Sequence, residues 1–198
     1  MTSSDEKTLN FYASEAQVYA SRPRAVARGL DGFLSRLPTS AKILELGCGG
    51  GQDSLAMLER GFDVIPTDGS PEMTAAAEHL LDRPVAVLPF DQLDDVECFD
   101  GIWANACLLH VPRTELSAAL SRIHRALKPA GIFYASFKAG DSEGRDRFGR
   151  YFNYPTADWL RLQYEESGWP SPAIEQREGG GYDGEETLWL GVTVVKTG

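Results

Sequence analysis

The chain has 198 residues, 29 acidic against 19 basic, with a formal charge of -10 at pH 7 and three cysteines. Such a length buries a substantial core without disulfides and reads as one domain, and the excess of acid disfavours a nucleic-acid partner. The odd number of cysteines, without zinc-finger spacing, fits a reducing cytoplasm and no metal, while no stretch approaches the roughly 20 apolar residues that span a bilayer.

In chain order, the sequence predicts helix from about Thr8 to Leu37, divided near Pro23, after an N-terminus (Met1 to Lys7) without an apolar signal core. A first strand begins near Ala41 and ends at Glu45-Leu46, and the apolar spacing of residues 54–60 predicts a helix behind it. Between them lies Gly47-Cys48-Gly49-Gly50-Gly51, a strand-to-helix turn of the kind at which open α/β sheets bind ligands. A second strand, Phe62 to Thr67, has Asp68 at its carboxyl end. A helix follows from Ser70, as cap, and Pro71 to about Leu81.

Residues 84–88 read as a third strand and Phe99 to Asn105 as a fourth. Pro112 begins a helix with Leu116, Leu120, Ile123 and Leu127 on one face, which Lys128-Pro129-Ala130-Gly131 ends before a fifth strand at Ile132 to Phe137. Lys138 to Tyr154 is a long connection without a clear period, of the kind that often binds ligands. A helix starts at Thr156 and ends near Gly168. Strands at about 173–178 and 187–195, joined by a glycine-rich loop (Gly179 to Gly184), should pair as an antiparallel hairpin. The alternation of strand and helix defines an α/β chain with a Rossmann-like, doubly wound, mostly parallel seven-stranded sheet.

Glu45-Leu46-Gly47-Cys48-Gly49-Gly50-Gly51 resembles motif I of the class I S-adenosylmethionine-dependent methyltransferases. The resemblance continues through Asp68, Phe90-Asp91, Phe99-Asp100-Gly101-Ile102-Trp103 and Leu127-Lys128-Pro129-Ala130-Gly131, in the family's order. Ala130 stands where the family usually has glycine. The stretch from Phe99 to Lys138 further resembles a small bacterial tellurite-resistance-like group.

By resemblance, the chain is a methyltransferase whose cofactor is S-adenosyl-L-methionine. Gly47, Cys48, Gly49 and Gly51 would admit the methionine part and ribose, with Glu45 beside them. Asp68 would accept from both ribose hydroxyls. Gly69 and Met73 would flank the adenine, Phe90 and Asp91 would read it, and Ala104 and Asn105 would face the methionine part. Tyr12 and Tyr19 resemble the paired aromatics of an N-terminal lid, placing that lid within residues 1–37. The expected partner is a small-molecule acceptor alone, with the protein a monomer or weak homodimer.

Other readings stand beside these. A glycine-rich turn also serves NAD, although the third glycine of that fingerprint would fall at Gln52. Asp91 could cap a short helix, and Tyr12 and Tyr19, seven apart, could be core residues of one helical face. His110 is placed to act as a general base, or to bond to backbone in a structural turn. Arg145, Arg150 and Tyr154 either wall the acceptor side, in a loop spanning 139–155, or belong to a solvated connection. A non-catalytic module holding the cofactor or S-adenosylhomocysteine would carry the same binding motifs.

Overall fold

The structure is a computed structural model that describes residues 5–22, 25–182 and 184–197. Pro23, expected to divide the N-terminal helices, lies outside the described residues, as do Met1 to Ser4 and Asp183. Helix α1 (Glu6–Ser21) starts where the Asp5 carboxylate accepts from Thr8 N. The expected second helix shrinks to α2 (Leu30–Leu34). Two tertiary contacts account for its late start. Ala27 N donates to Asp53 Oδ1 at 2.9 Å rather than to a helical carbonyl, and Gly29 sits so close to the Tyr134 ring that a Cβ would come within 2.9 Å of it.

The sheet is built from β1 (Lys42–Leu46), β2 (Asp63–Asp68), β3 (Ala86–Val87), β4 (Phe99–Ala104), β5 (Leu127–Lys138), β8 (Ala173–Gly180) and β9 (Glu186–Val195). Their order is β3-β2-β1-β4-β5-β9-β8. The first five run parallel, β9 runs antiparallel to β5, and β8 pairs antiparallel with β9. This is the doubly wound seven-stranded sheet expected, with its switch point between β1 and β4.

Helices cover both faces. On one, α5 (Arg113–Ala126) and α6 (Ala157–Glu166) bury Leu116, Leu120, Ile123, Leu160 and Tyr164 against Leu127, Phe133 and Trp169. On the other, α2 and α3 (Gln52–Glu59) bury Leu30, Phe33 and Met57 against Trp103 and Tyr134. Helix α4 (Pro71–Leu81) starts as expected, with Ser70 Oγ accepting from Met73 N.

Three boundaries differ from the sequence reading. Strand β3 keeps two residues, because Pro84 has no N–H and Val85 N is taken by Glu78 Oε1 at 3.0 Å. Strands β6 (Gly144–Arg145) and β7 (Tyr151–Phe152) form a small hairpin within the 139–155 connection. Strand β5 begins at Leu127, five residues early. Leu127 pairs with Phe99 and Ile132 with Gly101, so residues 128–131 bulge out of register, held by Ala130 N donating to Lys196 O.

Ala130 has φ +62°, a left-handed conformation that costs a Cβ-bearing residue about 1–2 kcal/mol. Glycine's greater freedom in the unfolded chain offsets part of that relief. Ala130→Gly should therefore raise stability by about 0.5–1 kcal/mol, read from the urea midpoint at unchanged m-value.

Candidate active site

The carboxyl ends of β1, β2 and β4 converge on one cavity, lined by Glu45, Gly47, Cys48, Gly49, Asp53, Asp68, Gly69, Met73, Phe90, Asn105 and His110, and roofed by Thr8, Leu9, Tyr12 and Tyr19 of α1. Close backbone approach shapes its floor. Gly47 has φ +66°, and a Cβ there would lie 2.4 Å from Cys107 Cβ. A Cβ at Gly51 (φ +85°) would instead meet Leu81, so that glycine serves the packing of α3 on α4.

Besides Asp5, which is paired with Arg145, three carboxylates line this space, each fixed differently. Asp68 accepts from Gly49 N at 3.0 Å and Ser70 N at 2.9 Å, which leaves lone pairs for a ligand. Burial nevertheless raises its pKa, against those backbone donors. Glu45 is 3% exposed and accepts from Ser54 Oγ. Burial, with Asp53 and Asp68 nearby, pushes its pKa up to about 8, so the carboxyl holds a proton at neutral pH while no cation is present. Asp53 accepts from Trp103 Nε1 at 3.0 Å and from Ala27 N, tying β4 to the segment after α1.

A second cavity adjoins the first, sharing Tyr12, Tyr19, Ala25, Ala106 and His110, and adds Arg22, Lys138, Arg150, Phe152, Tyr182 and Trp189. A directed chain of hydrogen bonds marks the boundary. Arg150 donates to the Tyr12 hydroxyl (3.1 Å), which donates to His110 Nε2 (2.9 Å), while His110 Nδ1 donates to Tyr151 O (2.6 Å). Burial drives the His110 pKa down to about 3, and the backbone carbonyl only partly opposes it. The imidazole is therefore neutral near pH 7 with its Nε2 lone pair engaged, which suits the orienting of Tyr12 better than proton abstraction.

Of the residues singled out in the sequence, Tyr12, Tyr19, Glu45, Gly47, Cys48, Gly49, Asp68, Gly69, Met73, Phe90 and Asn105 line the first cavity. Gly51, Asp91 and Ala104 do not. Ala104 is fully buried in the core, and Asp91 lies on the short turn Phe90–Gln92. His110 and Arg150 line the second cavity, whereas Arg145 pairs with Asp5 at 2.7 Å and Tyr154 stacks on Phe152, both away from the lining. Asp53, in the first turn of α3 just past the glycine turn, was not among the residues singled out in the sequence. Arg22, Lys138, Tyr182 and Trp189 carried no local signal. Among the described residues no cluster of His, Cys, Asp or Glu could hold a metal, all three cysteines are free, and no helix is long and apolar enough to cross a membrane.

Residues 44–135 match the methyltransferase domain family model. An uncharacterized methyltransferase of Synechocystis is 32% identical over 98 residues, 46% of this chain and 44% of that protein. The malonyl-acyl-carrier-protein O-methyltransferase of Enterobacter lignolyticus is 28% identical over 123 residues, 58% and 47% of the two chains. The chain thus spans about half the length of the curated relatives it matches. Burkholderia thailandensis 1,6-didemethyltoxoflavin-N1-methyltransferase, solved with 1,6-didemethyltoxoflavin and S-adenosylhomocysteine bound, superposes with TM-score 0.75 at 24% identity over 96% of this chain and 85% of that one.

The fold is the Rossmann-like fold of class I methyltransferases, and its central stretch matches their domain model. These similarities give the fold of the whole chain and a methyltransferase-domain match over residues 44–135.

Proposed function

We propose that this chain transfers the methyl group of S-adenosylmethionine to a small-molecule acceptor. The observation that carries the reading is the convergence of Glu45, Asp53 and Asp68 on a cavity floored by the Gly47–Gly49 backbone. Carboxylates in a site of low dielectric favour a ligand with a sulfonium and an ammonium, and disfavour the pyrophosphate of NAD. When bound, S-adenosylmethionine supplies an activated methyl group: an acceptor lone pair takes the methyl carbon, the carbon–sulfur pair remains on sulfur, and the acceptor's proton leaves to solvent.

The protein's contribution is binding, alignment and exclusion of water. Asp68 holds the ribose hydroxyls, Glu45 faces the cationic part, and Gly69, Met73 and Phe90 flank the adenine. Residues 1–37 act as the lid, on which Tyr12 and Tyr19 line the cavity, and the 139–155 connection forms the acceptor side of a single domain. Relatives of bacterial origin and a neighbour solved with a small substrate support a bacterial enzyme with a small acceptor, and the reading carries with it a cytoplasmic protein, monomeric or weakly dimeric, without nucleic-acid or membrane partners. The tellurite-resistance-like resemblance describes residues 99–138 and leaves the acceptor open.

Parallel calorimetric titrations with S-adenosylmethionine, S-adenosylhomocysteine and NAD test the reading. Micromolar binding of the first two alone is expected. Binding of NAD alone, or of none, overturns it, and tight binding without turnover across an acceptor panel would make the chain a non-catalytic binding module.

A further inference from the structure

Among the residues of α1 only Thr8 and Ala16 are buried, so apolar packing fastens this helix lightly over the first cavity. It lies along α4, with Leu9 over Gly69, 3.6 Å from where a Cβ would stand. Its other contacts run along one face, since Asp5, Thr8, Tyr12, Glu15 and Tyr19 recur every three or four residues. That face meets the β6–β7 hairpin and the loop between β8 and β9. Asp5 pairs with Arg145, Thr8 Oγ1 accepts from Tyr151 N at 2.8 Å, and Phe11 packs on Phe148 with centroids 5.5 Å apart. Tyr182 stacks on Tyr19 and donates to Glu15 at 3.2 Å.

Arg150 stands where these three segments meet. It is 2% exposed, and its guanidinium carbon lies 4.9–5.7 Å from the rings of Phe11 and Tyr12 on α1, Phe148 and Phe152 of the hairpin, and Tyr182. Its donors point two ways. Nε and Nη2 go to Asp146 Oδ2 at 2.9 and 2.6 Å, while Nη1 reaches the Tyr12 hydroxyl at 3.1 Å. Asp146 is itself built into the hairpin turn, where its Oδ1 accepts from Phe148 N and Arg150 N, both at 3.0 Å. The guanidinium is thus anchored on the hairpin and spans to α1. Its charge is answered by Asp146, so its remaining bond serves the protein rather than a ligand.

We propose that Arg150 is a positioning residue that latches α1 over the cofactor by bridging Asp146 to Tyr12. The proposal rests on the methyltransferase reading with α1 as lid, and it gives Arg150 a task toward a cavity that it does not line. Tyr12 and Tyr19 line both cavities, so the bond that closes the cofactor site also sets the wall shared with the acceptor side. Loss of the bridge leaves the Tyr12 hydroxyl on His110 alone and lets α1 lift. The cofactor then leaves faster, whereas its entry is not slowed.

The test follows release of radiolabelled S-adenosylhomocysteine from the full chain, chased with excess unlabelled ligand. Arg150→Lys keeps a cation for Asp146 but has one ammonium where the guanidinium forks to two partners. It should speed release about tenfold, as expected for one charge-assisted hydrogen bond, with the association rate unchanged or higher. Tyr12→Phe keeps the ring, removes the hydroxyl and should speed release to a similar degree. The double variant should release no more than about twofold faster than the faster single one, because both changes break the same bond. A residue that only packs the hairpin would give additive effects instead. Thermal melts establish that the variants are folded, and Tyr12→Phe alone decides should Arg150→Lys not fold. Release within about twofold of wild type in either folded variant, a fall in association rate that accounts for the lost affinity, or additive effects in the double variant would overturn the proposal. Failure of the wild type to bind S-adenosylhomocysteine would instead sink the methyltransferase reading, and the latch with it.

Discussion

Asp68→Ala should weaken S-adenosylhomocysteine binding by about 100-fold, the equivalent of about 3 kcal/mol lost from two charge-assisted hydrogen bonds to a diol. The carboxylate is aimed before any ligand arrives, because Gly49 N and Ser70 N hold its two oxygens at 3.0 and 2.9 Å. Part of the loss would come from those two N–H groups, left facing a cavity without their acceptor. Asp68→Asn separates the contributions. Its amide oxygen keeps one backbone donor satisfied but offers a single strong acceptor, so an intermediate loss of about tenfold is expected. Calorimetry gives the affinities, and thermal melts of the ligand-free variants report the structural share. Should Asp68→Ala bind within threefold of wild type, the ribose assignment is wrong.

The features legible in the sequence are those fixed by short-range pattern. A strand that ends in an acid and opens into glycines specifies its own turn, so Glu45, Gly47, Gly49 and Asp68 could be placed on one cavity without a structure. Ser70 and Pro71 likewise announced the start of α4. Features that depend on distant contacts were not legible. The second helix starts late because Asp53, 26 residues on, takes the Ala27 N–H, and β5 begins early because Lys196, just past β9, holds the bulge at Ala130.

Arg145 and Arg150 show the same limit within one loop. Both belong to the run Arg145 to Arg150 that precedes Tyr151, Phe152 and Tyr154, but Arg145 pairs with Asp5 while Arg150 is buried among rings from α1, β7 and the β8–β9 loop. Tyr182 reaches Tyr19 across more than 160 residues of sequence, and no periodicity encodes such a meeting.

Glu45 should make cofactor affinity depend on pH. Its folded pKa of about 8 lies far above the usual carboxylate value, so the empty protein holds a proton there at pH 6. For stability, a raised folded pKa means that the folded state binds the extra proton. This contribution is complete below about pH 4.5 and disappears as pH rises through about 8. For binding the sign reverses, since a cationic ligand requires the carboxylate and must displace the proton. Affinity for S-adenosylmethionine should therefore rise by about tenfold from pH 6 to pH 7, by about fivefold more to pH 8, and flatten above it. Glu45→Gln removes the titrating group and should show a flat profile over that interval, which distinguishes Glu45 from the ligand's own amino group. Calorimetry in buffers of differing ionisation enthalpy should also detect close to one proton released per wild-type binding event at pH 6, and none for the variant. A wild-type profile as flat as that of Glu45→Gln would mean that the acid does not meet the cofactor's charge. Asp53 and Asp68 would then have to supply the selection for a cation.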